Sequence, residues 1–169
     1  MPQVILERLL DEHGQALFGF LLNLTRQEVD ARDLVQEVFL KLLRRPELLD
    51  GLRDERGFLL RVAYHAALDL MRRRNTRESN HERLALESAN AFAPSPNPDE
   101  HAFRLALAGA LGELPAEQRA VVHLKLWEGL TFEAVAELLE LPVNTVASRY
   151  RYGLDKLRGR LRPLYEEIR

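Results

Sequence analysis

A chain of 169 residues can form one domain of ordinary size or two small domains, and in either case it can bury an apolar core. The absence of cysteine excludes disulfides and thiolate-bound metals, and it is compatible with a reducing compartment, for which the cytoplasm is the default. The formal net charge is -2, and charged residues interrupt every apolar run, so we expect neither an export signal nor membrane insertion.

Apolar residues recur at helical spacing almost throughout the chain, and no segment alternates strictly with the period of a β-strand. The pattern therefore predicts an all-α fold of six or seven helices. In the first half it predicts helices over 3–24, 30–44 and 56–74, with a short segment near 47–50 after Pro46. The side chains expected on the apolar face of the second helix are Leu34, Val35, Val38, Phe39, Leu42 and Leu43.

The middle of the chain has the composition of a linker. The stretch AFAPSPNPDE, residues 91–100, places three prolines within five residues. Proline lacks the donor that a helix needs and restricts the residue before it. We therefore predict an N-terminal helical domain over 1–77, a flexible linker over 78–100 and a C-terminal domain over 101–169.

The C-terminal domain is predicted to contain two helices, at 101–112 and from Pro115 to about Glu128, before a stretch that reads as a helix-turn-helix. That stretch is LTFEAVAELLELPVNTVASRYRYGLDKL, residues 130–157. Gly129 ends the helix in front of it.

The helix-turn-helix prediction depends on residues with distinct local roles. Thr131 can cap a helix over 132–139, and the small side chain of Ala136 permits close approach of the next helix. The turn Glu140–Leu141–Pro142 redirects the chain, and Pro142 is suited to begin the second helix.

The outward side of this second helix is polar and cationic, and four more arginines cluster between residues 72 and 77. Asparagine, serine and arginine can meet base edges in a major groove, and basic side chains can meet phosphates. A hairpin with a solvated basic face is also common in proteins that never bind nucleic acid, and Glu140 stands where many such motifs have glycine. The residues alone leave both interpretations open. Acidic residues concentrate at 28–37 and 47–55, which suggests a partner other than nucleic acid for that face.

Three segments in order closely resemble the bacterial extracytoplasmic-function sigma factors, the two-domain group IV members of the sigma-70 family. They are DARDLVQEVFLKLL (30–43), RGFLLRVAYHAALDLMRRR (56–74) and LGELPAEQRAVVHLKLWEGLTFEAVAELLELPVNTVASRYRYGLDKLRGRL (111–161). The resemblance implies a transcription initiation factor that binds core RNA polymerase, recognises minus-10 and minus-35 promoter elements and aids promoter melting. It also implies an anti-sigma factor as a partner, and no catalytic residue, metal or cofactor.

The resemblance assigns polymerase binding to the helix that matches 30–43, which in relatives contacts the β′ clamp helices. The exposed residues expected there are Asp33, Gln36, Glu37 and Lys41. A solvated helix face is the alternative interpretation of these charges. The β flap of the polymerase is the further expected contact.

The helix at 56–74 resembles the segment that recognises and helps to melt the minus-10 element. Bases of a melted strand need stacking surfaces, and the backbone needs cations. The candidates are Arg61, Tyr64, His65, Arg72, Arg73 and Arg74. Phe58 stands where tryptophan is common in the family and His65 where asparagine is common, so the base preference is open.

The helix that begins near Pro142 resembles the one that reads the minus-35 duplex. The candidates are Asn144, Thr145, Ser148, Arg149, Arg151 and Lys156. Ala147 and Tyr152–Gly153 depart from the basic residues that are frequent in relatives, and fewer phosphate contacts are expected to follow.

Two other classes of protein fit the sequence less well. A free-standing helix-turn-helix regulator would leave the N-terminal half unexplained. An enzyme is not supported by the five histidines, because no metal-binding pair, phosphate-binding loop or nucleophile motif accompanies them. His123 and Trp127 lie at helical spacing in a largely apolar segment and are expected to be structural.

Overall fold

The computed structural model describes residues 2–77 and 98–167, and all regular structure within them is helical. The chain forms two compact units, 1–83 and 84–169. The predicted all-α class with two helical domains is confirmed. Residues 78–97 of the predicted linker lie outside the described residues. A helix already begins at Pro98, inside the span predicted as linker, because proline is well suited to the first turn of a helix.

The first unit consists of α1 (Pro2–Thr25), α2 (Glu28–Arg44), a short 3-10 helix (Pro46–Leu49) and α3 (Glu55–Arg77). The three α-helices pack on one another. Each buried leucine stabilises the fold by about 1.5–3 kcal/mol relative to an exposed one. The largest fully buried side chains of this unit are Leu9, Leu17, Phe20, Leu21, Leu24, Val38, Leu42, Leu59 and Leu60.

The buried stripe of α2 is narrower than predicted. Leu34, Val38 and Leu42 are buried, but Leu43 is 50% exposed. Residues four apart lie almost in line along a helix, whereas Leu43 is rotated by about 100° from Leu42. Part of the predicted apolar face of α2 is therefore exposed.

The second unit consists of α4 (Pro98–Glu113), α5 (Ala116–Leu126), α6 (Phe132–Leu139) and α7 (Val143–Glu167). The long α7 packs against α4, α5 and α6. A Cβ added at Gly153 of α7 would lie 2.8 Å from Cγ2 of Val122, so the close approach of α5 and α7 requires glycine. The core cluster between α4, α5 and α7 contains Ala110, Leu111, Leu114, Val122, Leu157 and Leu161.

The helix-turn-helix forms where the sequence predicts it. The Thr131 side chain accepts a hydrogen bond from the Ala134 N–H at 3.1 Å and caps α6. At the other end of α6, Glu140 adopts a left-handed conformation with φ 57°, and the Leu141 N–H donates to the Ala136 carbonyl at 3.0 Å. These bonds complete a helix stop of the kind that usually has glycine at the left-handed residue.

Replacing Glu140 by glycine is therefore expected to stabilise the second unit by about 0.5–1 kcal/mol. The left-handed conformation costs an L-residue about 1–2 kcal/mol, and the extra unfolded-state entropy of glycine offsets part of that gain. Thermal unfolding followed by the fluorescence of Trp127, which is the one tryptophan in the sequence, measures the change. The matched control is Glu137→Gly, an exposed position inside α6, which should lower stability by about 1 kcal/mol. A Glu140→Gly variant that melts below the wild type would contradict the expectation.

Within the described residues, none of the helices combines the length and the apolar content that crossing a bilayer would require.

Candidate binding surfaces

The exposed face of α2 forms an open, charged depression. All four residues predicted there are exposed, and they lie together with Leu40, Arg44 and Arg45 around a volume of about 450 Å³. The acids Asp33 and Glu37 come before the bases Lys41 and Arg44 along the helix, so one end of the surface offers acceptors and the other end offers donors. The predicted residues at this surface are Asp33, Gln36, Glu37 and Lys41.

An apolar groove adjoins the charged depression, and the sequence analysis did not predict it. It lies between α1 and α2, has a volume of about 560 Å³ and shares Gln36 and Leu40 with the depression. Leu40 is 49% exposed and Leu10 is 46% exposed. The signal in the sequence is that apolar residues on both helices extend beyond the buried stripes. The other apolar residues that line the groove are Leu6, Val35, Phe39 and Leu43.

The predicted minus-10 residues of α3 fall into two groups. His65, Arg72 and Arg73 are exposed, and Arg61 is half-buried. Tyr64 is only 4% exposed, which corrects the expectation that its ring offers a stacking surface. Tyr64 follows Leu60 by one turn of the helix, so it belongs to the buried stripe.

Arg74 differs from the two arginines before it. Its guanidinium donates two hydrogen bonds to the Asp30 carboxylate, from Nη1 to Oδ2 and, at 2.7 Å, from Nη2 to Oδ1. The carboxyl group belongs to α2 and its residue is 7% exposed. Arg74 is thus held against α2, and its predicted part in minus-10 binding stays a prediction.

The outward side of α7 carries the six residues predicted to read a duplex. Asn144, Arg151 and Lys156 are exposed, whereas Thr145 and Ser148 are half-buried. Asn144, Ser148 and Arg151 lie opposite the buried residues of the helix, whereas Thr145, Arg149 and Lys156 flank them; the buried residues are Val146, Gly153, Leu157 and Leu161.

Arg149 is held by a neighbouring helix. Its Nη2 lies 3.3 Å from Oε2 of Glu117, in the first turn of α5, and its side chain is 23% exposed. Glu117 is itself exposed, so this ion pair contributes little to stability. It places the guanidinium beside the first turn of α5.

Two aromatic residues in the second unit are more exposed than core residues. Tyr152, on the outward side of α7, is 53% exposed, and the guanidinium of Arg151 lies 5.1 Å from its ring centre. Trp127 was expected in the core but is 41% exposed, because α5 ends at Leu126 and the tryptophan lies beyond the buried stripe. One face of the Trp127 ring stacks on His123, with ring centres 5.4 Å apart.

His123 is buried, as expected from its apolar surroundings in the sequence, and burial lowers its pKa to about 4. An unfolded histidine has a pKa near 6.5, so the unfolded chain binds the additional proton between these values. Stability from the neutral ring is thus present above pH 6.5 and is lost as the pH falls toward 4.

We expect the second unit to lose about 2 kcal/mol of stability between pH 7.5 and pH 5 through this group. Chemical unfolding followed by Trp127 fluorescence at the two pH values measures the loss. His123→Phe keeps a ring against Trp127 and should remove most of the difference, whereas His101→Gln, at an exposed position, should leave it unchanged. An unaltered pH dependence in His123→Phe would assign the effect to other groups.

Comparison with known proteins gives a consistent result over both units. The family model for sigma-70 region 2 matches residues 9–77, and the model for sigma-70 region 4 matches residues 104–157. The chain is 33% identical over 162 residues to the ECF RNA polymerase sigma factor SigL of Mycobacterium tuberculosis, covering 95% of this chain and 90% of that protein. It is 27% identical over 165 residues to the ECF RNA polymerase sigma factor SigX of Bacillus subtilis, covering 95% and 85%.

A solved structure shares the fold. The sigma factor RpoE of Bartonella quintana, in complex with the anti-sigma factor NepR, matches with a TM-score of 0.70 and 22% sequence identity. The match covers 92% of this chain and 96% of that one.

Proposed function

The chain belongs to the extracytoplasmic-function sigma factors of the sigma-70 family and so serves promoter-specific transcription initiation, and we propose that its two helical units divide that work between them. The first unit binds the β′ clamp helices of core RNA polymerase and captures melted minus-10 bases. The second unit binds the minus-35 duplex and the β flap. The chain catalyses no reaction of its own and acts in the cytoplasm.

The observation that carries this proposal is the surface of α2. Asp33, Gln36, Glu37 and Lys41 line one depression, which continues into the apolar groove. Protein interfaces commonly combine an apolar centre with a polar rim. Leu40 and Leu43 provide exposed apolar area in the groove, and the charges of the depression determine how a bound partner is oriented. We include the groove in the polymerase-binding surface.

The end of α3 supports contact with a melted strand. Arg72 and Arg73 present cations, and His65 presents an exposed ring two turns earlier. A single strand is held by stacking on rings and by cations along its backbone. Tyr64 does not take part in this contact, since its ring is buried.

The outward side of α7 supports contact with a duplex. Arg149 is suited to a bidentate hydrogen bond with a guanine edge, and Glu117 holds its guanidinium in one direction. Lys156 and Arg151 serve the phosphates. Neither unit needs a high affinity, because polymerase links the two weak contacts into one.

An anti-sigma factor is the proposed regulatory partner. The solved relative is a complex with such a protein, and the exposed apolar groove beside α2 is a surface that an inhibitor could cover. Covering it would compete directly with polymerase.

Run-off transcription with core polymerase on a promoter library tests the proposal. We expect transcripts that depend on both core and this chain, and the selected promoters should share two sequence elements. A regulator that acts alone would bind its DNA specifically without core. If no promoter depended on core together with the chain, the proposed function would be wrong.

A further inference from the structure

The Asp30–Arg74 pair joins the two working helices of the first unit. Asp30 lies in the first turn of α2, three residues before Asp33, and Arg74 lies near the end of α3. Both side chains occupy positions that the helix dipoles favour, an acid near an N-terminus and a base near a C-terminus. The pair therefore connects the start of the polymerase-binding helix to the end of the DNA-binding helix.

The burial of Asp30 makes the geometry of this pair specific, whereas the Arg74 side chain is 42% exposed. Both carboxylate oxygens of Asp30 accept hydrogen bonds from the two terminal nitrogens of Arg74. A two-bond contact fixes orientation as well as distance. Asp30 is 7% exposed, so its charge has lost most of its water and depends on this partner.

Fixing Arg74 also fixes the arginines before it. Successive residues of a helix are rotated by about 100°, so a guanidinium held against α2 places the Arg72 and Arg73 side chains on other sides of α3. Both of those arginines are exposed.

We propose that Arg74 is a positioning residue rather than a DNA ligand, and that its pair with Asp30 sets the direction in which α3 presents Arg72 and Arg73 to the melted strand. The inference rests on the proposed contact between α3 and minus-10 DNA. Arg74 acts through its two neighbours, and Asp30 is as necessary to promoter binding as Arg74 is.

Direct contact and positioning predict opposite effects for Asp30→Asn. If Arg74 were a phosphate ligand, neutralising Asp30 would release its guanidinium and promoter binding would become tighter. If Arg74 positions its neighbours, Asp30→Asn weakens promoter binding as Arg74→Gln does, and the double variant Asp30→Asn/Arg74→Gln is no weaker than either single variant.

The experiment measures open-complex formation by core polymerase with the full chain and its variants, as a function of salt. Asp30→Asn and Arg74→Gln are each expected to reduce promoter affinity by about tenfold, the size of one lost strand contact. The slope of log affinity against log salt should fall to the same extent in Asp30→Asn and Arg74→Gln, because both variants misplace the same two arginines. The control Arg73→Gln should lower that slope by about 0.7, as expected for a lost single-strand phosphate contact.

Core affinity without DNA is measured in parallel and should change less than about twofold, since α1 packs along α2 independently of the pair. If Arg74→Gln unfolds at the assay temperature, Asp30→Asn and the double variant carry the test, because neither leaves a buried unpaired carboxylate.

Tighter promoter binding by Asp30→Asn, or a salt slope that falls in Arg74→Gln but not in Asp30→Asn, would overturn the inference. A wild-type chain that forms no core-dependent open complex would instead overturn the proposed function, so the two failures are distinguishable.

Discussion

Replacing Glu37 by arginine is expected to lower the affinity of the chain for core RNA polymerase by at least about tenfold, and to lower transcription from every promoter to a similar degree. Glu37 is exposed and lines the charged depression on α2 between Asp33 and Lys41. Reversing one charge in a complementary interface removes an attraction and adds a repulsion.

The matched control is Asp11→Arg. Asp11 is an exposed acid on α1 that does not line the depression or the groove, and the two substitutions change the net charge equally. Binding of the labelled chain to core polymerase at two salt concentrations separates the effect of a charge at the α2 surface from the effect of net charge. The loss of core affinity in Glu37→Arg should be smaller at high salt, because salt screens both the lost attraction and the added repulsion. Equal losses in the two variants would show that only net charge matters and would remove α2 from the polymerase-binding surface.

The helices of this chain are predictable from the sequence because their signals are local. Thr131 caps α6 where a side-chain oxygen is needed, and α6 has the predicted bounds. Glu140 shows the limit of such rules. It occupies the left-handed position that favours glycine, and the turn forms nevertheless, since packing of α6 and α7 outweighs a cost of about 1–2 kcal/mol.

The surfaces are less predictable, because exposure depends on which side of a helix meets its neighbour. Tyr64 has a polar tip and could stand on either side of α3, but the stripe that α1 and α2 cover includes it. Leu43 is predicted on the apolar face of α2, yet it lies at the groove beside Leu40, which the pattern does not place on that face. Periodicity shows which residues lie in line along a helix, but only the packing of the helices decides how wide the buried stripe is.

Arg74 illustrates a second limit of prediction from the sequence. Three consecutive arginines look equivalent in a sequence, but Arg72 lies 3.9 Å from Asp69 on its own helix, whereas the partner of Arg74 is 44 residues away along the chain. Only the packing of α3 on α2 brings Asp30 to the last of the three. The charge pattern located the basic cluster correctly but did not predict which arginine serves the fold.

Replacing Arg149 by alanine is expected to change promoter choice rather than polymerase binding. Each bidentate contact to a base contributes about 1–3 kcal/mol of discrimination, so promoters whose minus-35 element contains the recognised base should lose about 5- to 150-fold in affinity. Promoters that lack this base should change little. Transcription from a library randomised in the minus-35 element, with core in excess, measures the selectivity directly.

Arg158→Ala is the control on the same helix. Its side chain is 76% exposed and lies nine residues further along α7, about 13 Å from Arg149 along the axis. A phosphate contact at that position would weaken all promoters alike and change no preference. A library profile altered equally by both variants would argue against Arg149 as a base reader.

Glu117→Gln tests how the direction of Arg149 contributes. The amide keeps the size of the side chain but removes the charge that lies 3.3 Å from the guanidinium. If the ion pair holds Arg149 in the reading direction, Glu117→Gln should flatten the minus-35 preference at the same base as Arg149→Ala does. Total binding should remain higher than in Arg149→Ala, because the positive charge is still present near the phosphates. If the pair instead withholds Arg149 from DNA, the same variant should sharpen the preference. Whether Glu117→Gln weakens or strengthens the minus-35 preference therefore shows whether the ion pair prepares Arg149 for base contact or must break before Arg149 can contact a base.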